Sequence, residues 1–183
     1  MVKFLRKARK LVNWLWKGKS LASHLTFLVI AYLLLKFIAY PAFLWAFGMN
    51  DIVAVLSNSM NHGETINHTF NDWLEFNGYN ESVVESWPFI NGLNMGDVVT
   101  VMPGEVNVGD VIIYYYGNNL IIHRVVNKTE FEGAVYFTTK GDANPASMNF
   151  EIAVPESKLL GKAGLQVPLL GWPRVLLYYL IGF

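Results

Sequence analysis

The sequence predicts a mostly β domain, compact and antiparallel, behind one N-terminal transmembrane helix. Three observations carry this. One apolar run, Leu21 to Phe47, has membrane-spanning length. After it comes a series of short runs rich in Val, Ile, Tyr and Thr, most of them bounded by Gly, Pro or Asn, which is the pattern of strands and turns. Finally, the formal charge of zero hides two unlike parts. Residues 1–50 hold eight Lys/Arg and no acid, whereas the remainder carries six Lys/Arg and all 14 acids. At 183 residues the chain has room for one domain and an anchor.

The elements follow in order. Residues 1–20 form a basic N-terminus with Lys3, Arg6, Lys7, Arg9, Lys10, Lys17 and Lys19. Residues 21–48 form the anchor, interrupted only by Ser23, His24, Thr26 and Lys36; about 20 apolar residues suffice to cross a bilayer. The basic flank places the N-terminus in the cytoplasm and everything after Met49 outside. Lys36 either snorkels, or the helix core ends near Tyr40-Pro41 with 42–47 along the outer interface. A cleavable signal peptide ranks lower, because the run is long and no clean small-x-small site follows it.

Residues 49–165 are expected to form the extracytoplasmic β domain. Its strands are predicted at Val53–Leu56, Asp97–Met102, Val108–Tyr116, Leu120–Val126, Ala134–Thr139 and Lys158–Leu165. Gly117-Asn118-Asn119 reads as a hairpin turn. Gly96-Asp97-Val98-Val99 and Gly109-Asp110-Val111-Ile112 read as two similar turn-to-strand entries. Residues 61–95 interrupt this pattern as an irregular, aromatic-rich insertion with a short helix around Asn71–Phe76. The tail, 166–183, is apolar but broken by Pro168, Gly171 and Pro173, and is expected to be interfacial or core-packed.

Several function classes are disfavoured. With no cysteine the domain has no disulfides and must rely on burial. His24, His62, His68 and His123 show no metal-ligand spacing, so no metal and no cofactor are expected. The exposed domain is acidic, which argues against nucleic acid. Sequons at Asn67, Asn80 and Asn127 fall on the expected outer side.

Three fragments hold the ingredients of serine chemistry. Ser59, 12 residues past Phe47, follows a predicted strand; His123 lies in Ile121-Ile122-His123-Arg124, and Asp142 in Lys140-Gly141-Asp142-Ala143-Asn144. Each has a plain structural explanation: a turn serine, a satisfied half-buried histidine, a turn aspartate. Their combination says more. From Phe37 through His123 there is no Lys or Arg, so a base near Ser59 in sequence must be something other than lysine, and histidine suits a serine hydroxyl. Lys140 is the alternative lysine base, but two residues before Asp142 on the same strand face it reads rather as an ion-paired or surface lysine.

Taken in order, the fragments resemble the type I signal peptidases, in the archaeal and endoplasmic-reticulum branch that uses histidine as base. The resemblance rests on the basic N-terminus and anchor, Ser57-Asn58-Ser59-Met60, the two Gly-Asp entries, His123-Arg124-Val125, Lys140-Gly141-Asp142-Ala143-Asn144 and Leu160-Gly161-Lys162-Ala163. It implies a signal-peptidase-type β catalytic domain, with Ser59 as nucleophile, His123 as general base and Asp142 as the carboxylate that orients it. Ser57 and the Ser59 backbone N–H would stabilise the oxyanion. The sequence departs from the family pattern in three places. Asn58 replaces a glycine; Asn61-His62 follows the methionine, a histidine there resembling archaeal versions with a long insertion; and Met148 stands where the family has a second aspartate, with Glu151 the nearest acid. Glu151 is therefore the alternative orienting group, and a Ser–His pair with weaker orientation is a third reading.

The implied reaction is removal of N-terminal signal peptides from preproteins, with small residues before the cleaved bond. The implied partners are those preproteins, the lipid bilayer and, as a candidate, the Sec translocon. The implied location is a single-pass cell-membrane protein with its catalytic domain outside. Leu56 and Met60 are expected on a substrate-binding, membrane-facing surface, with a core role as the alternative for Leu56. The rival readings are a catalytically inactive β module that binds exported chains and a related protease dedicated to one substrate.

Overall fold

The computed structural model describes residues 2–62 and 64–182. The chain divides into two compact units, Met1–Phe47 and Gly48–Phe183.

The first unit is helical. It comprises α1 (Val2–Lys17), α2 (Leu21–Leu34), a π-helical segment (Leu35–Ala39) and α3 (Tyr40–Ala46). Ser20 caps α2, its hydroxyl accepting the Ser23 N–H at 3.2 Å, which satisfies a backbone donor that has no partner inside the helix. Pro41 cannot donate to the preceding turn and its ring crowds it. The π segment immediately before it absorbs that defect. The helix therefore does not end near Tyr40-Pro41 as one reading expected. It runs on through Leu21–Ala46, 26 residues long and apolar enough to cross a membrane. At 1.5 Å per residue it extends about 39 Å, against a hydrocarbon core of about 30 Å. The Lys36 ammonium lies over the rings of Phe37 (5.7 Å) and Tyr32 (5.8 Å).

The second unit is built on one antiparallel sheet of seven strands: β1 (Asp51–Ala54), β2 (Val98–Met102), β3 (Val111–Tyr116), β4 (Asn119–Phe131), β5 (Ala134–Lys140), β6 (Val154–Pro155) and β7 (Leu159–Val167). Their spatial order is β1-β2-β7-β3-β4-β5-β6, so the mostly β, antiparallel expectation is met. Strand β3 is central and buried on both faces. Val111 and Ile113 join one core with Val53, Val55, Met60, Leu93, Val99, Val101 and Ile122, while Ile112 and Tyr114 join a second with Val106, Val125, Phe137 and Val154. This is the period-two alternation of a strand between two packed layers.

The hairpin at Gly117-Asn118 is present, with Tyr116 paired to Asn119. Strand β4 runs five residues beyond the predicted end at Val126, because a register shift between Val125 and Asn127 absorbs a polar pair that reads as a turn. The two Gly-Asp entries are alike in three dimensions. Asp97 accepts the Asn94 N–H at 2.8 Å and Asp110 the Asn107 N–H at 3.0 Å. Gly96 and Gly109 have φ of +91° and +97°, and each lies beneath an indole, Trp172 and Trp87 respectively.

The 61–95 insertion is more regular than expected. It contains α4 (Glu64–Phe76) and α5 (Glu81–Val84) around a third core of Phe70, Leu74, Val84 and Trp87. Phe70, Trp73 and Leu74 have the i, i+3, i+4 spacing of one helical face. In the tail, α6 (Trp172–Ile181) buries Val175 and is held where the Gly171 N–H meets the Gly96 carbonyl at 2.8 Å. Leu176, Leu177, Leu180 and Ile181 remain exposed. Asn80 and Asn127 are exposed; the side chain of Asn67 lies outside the described residues.

Candidate active site

Ser59 sits in the turn that follows β1, and its backbone is held from two sides. Its carbonyl accepts the Ala143 N–H at 2.8 Å, and the carbonyl of the next residue, Met60, accepts the Leu93 N–H at 2.8 Å. The Met60 side chain is 1% exposed, within the first core. This corrects the expectation that Met60 faces the membrane: its thioether fills the core under the serine turn. Leu56 is half-buried, and Ser57 Oγ lies 3.1 Å from Ser59 Oγ.

His123 is on β4, directly opposite Ile112 of β3. Its Nε2 lies 3.1 Å from Ser59 Oγ. Its Nδ1 is hydrogen-bonded to the Glu151 carboxylate. Glu151 ends a short 3-10 turn, Asn149–Glu151, and is fully buried; its second oxygen accepts the Met148 N–H at 2.6 Å. Serine, imidazole and carboxylate thus form one continuous chain, with each group reaching the next. A base on one ring nitrogen and an orienting acceptor on the other are the parts that activate a serine hydroxyl.

Asp142 is not the third member of that chain. It accepts from Arg124 Nε at 2.9 and 3.2 Å, from Arg124 Nη2 at 2.7 Å, and pairs with His62 Nε2 at 2.8 Å. Burial pushes its carboxyl up, but the His62 hydrogen bond and the Arg124 guanidinium outweigh this and hold it below the ordinary value. The physical reason for the correction is register. Arg124 stands opposite Lys140 across β4 and β5, and two like charges facing each other on neighbouring strands need an anion. Asp142, two residues past Lys140, supplies it. Arg124 is fully buried, and its remaining donors reach the carbonyls of Pro88 and Gly109, both at 2.8 Å, and Phe89 at 3.0 Å.

Lys140 is neither a surface lysine nor carboxylate-paired. It is 1% exposed, donates to the carbonyls of Gly141 (3.0 Å) and Asp142 (3.2 Å), and lies over the Trp73 ring at 5.1 Å. Burial lowers its pKa to about 8, partly opposed by Asp142 and Glu151.

Three further residues build the site in roles that the sequence does not assign to them. His62 anchors Asp142. Phe70, from the insertion, meets the His62 ring at a tilt of 35°, centroids 4.5 Å apart, and lies under Arg124 at 5.5 Å and Lys140 at 5.9 Å. Gly141 allows the closest approach: a Cβ there would fall 2.8 Å from the Ser59 carbonyl and 2.9 Å from His123 Nε2. No family model matches the chain, and no curated protein matches it at a significant level.

Proposed function

We propose that this chain is a membrane-anchored serine endopeptidase that removes N-terminal signal peptides from exported preproteins. The observation that carries the reading is the Ser59–His123–Glu151 chain, with Ser59 Oγ 3.1 Å from His123 Nε2 and Glu151 on the far ring nitrogen. His123 takes the Ser59 proton as Oγ attacks the scissile carbonyl, and Glu151 holds the imidazole in the correct tautomer and stabilises the imidazolium. The same proton passes to the leaving amine, and water then releases the acyl group. Ser57, whose hydroxyl lies beside Ser59 Oγ, donates to the developing oxyanion together with the Ser59 N–H.

The substrate class follows from two further features. Ser59 lies 13 residues beyond a helix, Leu21–Ala46, long enough to span a bilayer, so a substrate held by its own apolar segment is concentrated near the same surface. Strand β1, at the edge of the sheet, leads into the serine turn and offers an extended peptide a strand to run beside. The test is cleavage of a preprotein by the purified protein in lipid or detergent. Wild type releases the mature chain, and Ser59→Ala and His123→Ala do not. Full cleavage by Ser59→Ala would sink the reading. Cleavage of one preprotein alone, from a panel, would narrow it to a dedicated protease.

A further inference from the structure

Helix α1 has two chemically separate faces. On a helical projection of 100° per residue, Phe4, Leu5, Val12, Leu15 and Trp16 occupy an arc of about 120°, and Arg6, Lys7, Arg9, Lys10 and Lys17 occupy the arc opposite, where Trp14 is the one large apolar side chain among the described ones. Residues 1–50 contain no acid to neutralise the basic face. Apolar Phe4, Leu5, Val12 and Trp16 are nonetheless exposed. A helix with this division, whose apolar side stays exposed among the described residues of the chain, suits the plane where lipid tails meet headgroups.

The corner after α1 gives an independent observation. Only Gly18, Lys19 and Ser20 separate α1 from α2. The turn is tight: the Gly18 N–H bonds the Trp14 carbonyl at 2.9 Å, and a Cβ on Gly18 would fall 2.6 Å from Ser23 Oγ. Trp16, on the apolar arc, meets Phe27 of α2 edge-on with ring centroids 5.8 Å apart. The apolar side of α1 is thus turned toward the first turns of the membrane-length helix, and the basic side away from it.

We infer that α1 is an in-plane anchor that binds the anionic lipid headgroups of the leaflet where α2 begins. Its apolar face enters the acyl boundary, and its basic residues contact phosphates. The inference rests on the reading of Leu21–Ala46 as a membrane span.

The chain has no cysteine, so single nitroxide labels can be placed without background. Full-length protein carrying Lys7→Cys, Val12→Cys or Leu28→Cys would be reconstituted in nanodiscs of phosphatidylcholine, with or without phosphatidylglycerol. In anionic discs the Val12→Cys label should collide preferentially with oxygen and the Lys7→Cys label with an aqueous nickel chelate. Leu5→Cys and Lys10→Cys provide a second such pair. Removing phosphatidylglycerol, raising salt, or combining Arg6→Gln with Lys10→Gln should shift α1 toward the aqueous state, by about fivefold for each charge removed. Equal aqueous exposure of both faces while Leu28→Cys stays in lipid would overturn the α1 assignment alone, as would indifference to lipid charge. An aqueous Leu28→Cys label would overturn the span and the anchor together.

Discussion

The His123 imidazole is held between Ser59 on Nε2, at 3.1 Å, and Glu151 on Nδ1, while Asp142 is turned to Arg124 and His62. The two buried carboxylates near the histidine therefore do different work. Glu151 bears on the ring that faces the serine. Asp142 neutralises a buried guanidinium that would otherwise confront Lys140 across the sheet. A carboxylate in a Gly-Asp turn is thus explained by charge balance in the fold, and the orienting role falls to the acid that caps the 3-10 turn.

Separate variants distinguish these roles. Glu151→Gln keeps the volume and removes the charge that stabilises the imidazolium, so kcat should fall by roughly 10³–10⁴ with little change in KM. Asp142→Asn should instead leave Arg124 buried without its anion, at a cost of about 3–5 kcal/mol in unfolding free energy. The fraction that folds should turn over at a rate of the same order as wild type. Preprotein cleavage rates and thermal unfolding in detergent read the two effects. Normal turnover by Glu151→Gln beside loss in folded Asp142→Asn would reverse the assignment.

Most of the sheet was legible in the sequence because most of its strands are short runs rich in Val, Ile, Tyr and Thr, bounded by Gly, Pro or Asn. The Ser59–His123 pair was legible because the region lacks basic residues up to Arg124. Orientation of the imidazole was not, because it depends on contacts distant in sequence. Whether an acid at 142 or at 151 reaches Nδ1 is decided by the Arg124–Lys140 register and by the Met148–Glu151 cap, and neither leaves a periodic trace. The buried state of Lys140 was hidden for a similar reason, since it depends on Trp73 and Phe70 of the insertion. The end of β4 was misjudged because a bulge lets Asn127 and Lys128 continue a strand.

Gly141 should be required for activity as well as for packing. Its backbone is outside the positive-φ region, so alanine meets no left-handed strain there. The added methyl would instead press on Asn144 Nδ2 at 2.7 Å, the Ser59 carbonyl at 2.8 Å and His123 Nε2 at 2.9 Å. Displacing either reacting group by a few tenths of an ångström lengthens a hydrogen bond that must shorten in the transition state. Gly141→Ala should therefore lower kcat by about 10²-fold in the fraction that folds, and overpacking of this buried loop should cost about 1–3 kcal/mol in unfolding free energy. Unchanged kcat would show that the 140–144 loop has slack.

At the acid end, stability should track Asp142. Its folded pKa lies below the ordinary 3.8, so between those two values the unfolded chain binds more protons than the folded one. The stabilisation is complete above 3.8 and is lost as pH falls through the folded value. Unfolding followed by tryptophan fluorescence should show stability dropping with acid across that window. Asp142→Asn should be weaker at neutral pH and show a shallower acid slope. Parallel slopes in the two proteins would mean that another carboxylate controls acid unfolding.

At the alkaline end the slope has the same sign, and a different residue controls it. Lys140 has a folded pKa of about 8 against an ordinary 10.5. Between these values the unfolded chain again binds more protons, so stability should rise with pH from about 8. Tyr114 opposes this above pH 10: burial pushes its pKa up to about 12, so the unfolded tyrosine loses its proton first and the folded state loses ground. The expected profile rises from pH 8, peaks near 10 and then falls. Lys140→Met should abolish the rise and leave the decline. Its ammonium reaches backbone carbonyls and the Trp73 face, with His123 as the base on Ser59, so the folded Lys140→Met protein should still cleave at neutral pH. Loss of cleavage in a folded Lys140→Met protein, with normal cleavage by His123→Ala, would make the lysine the base instead.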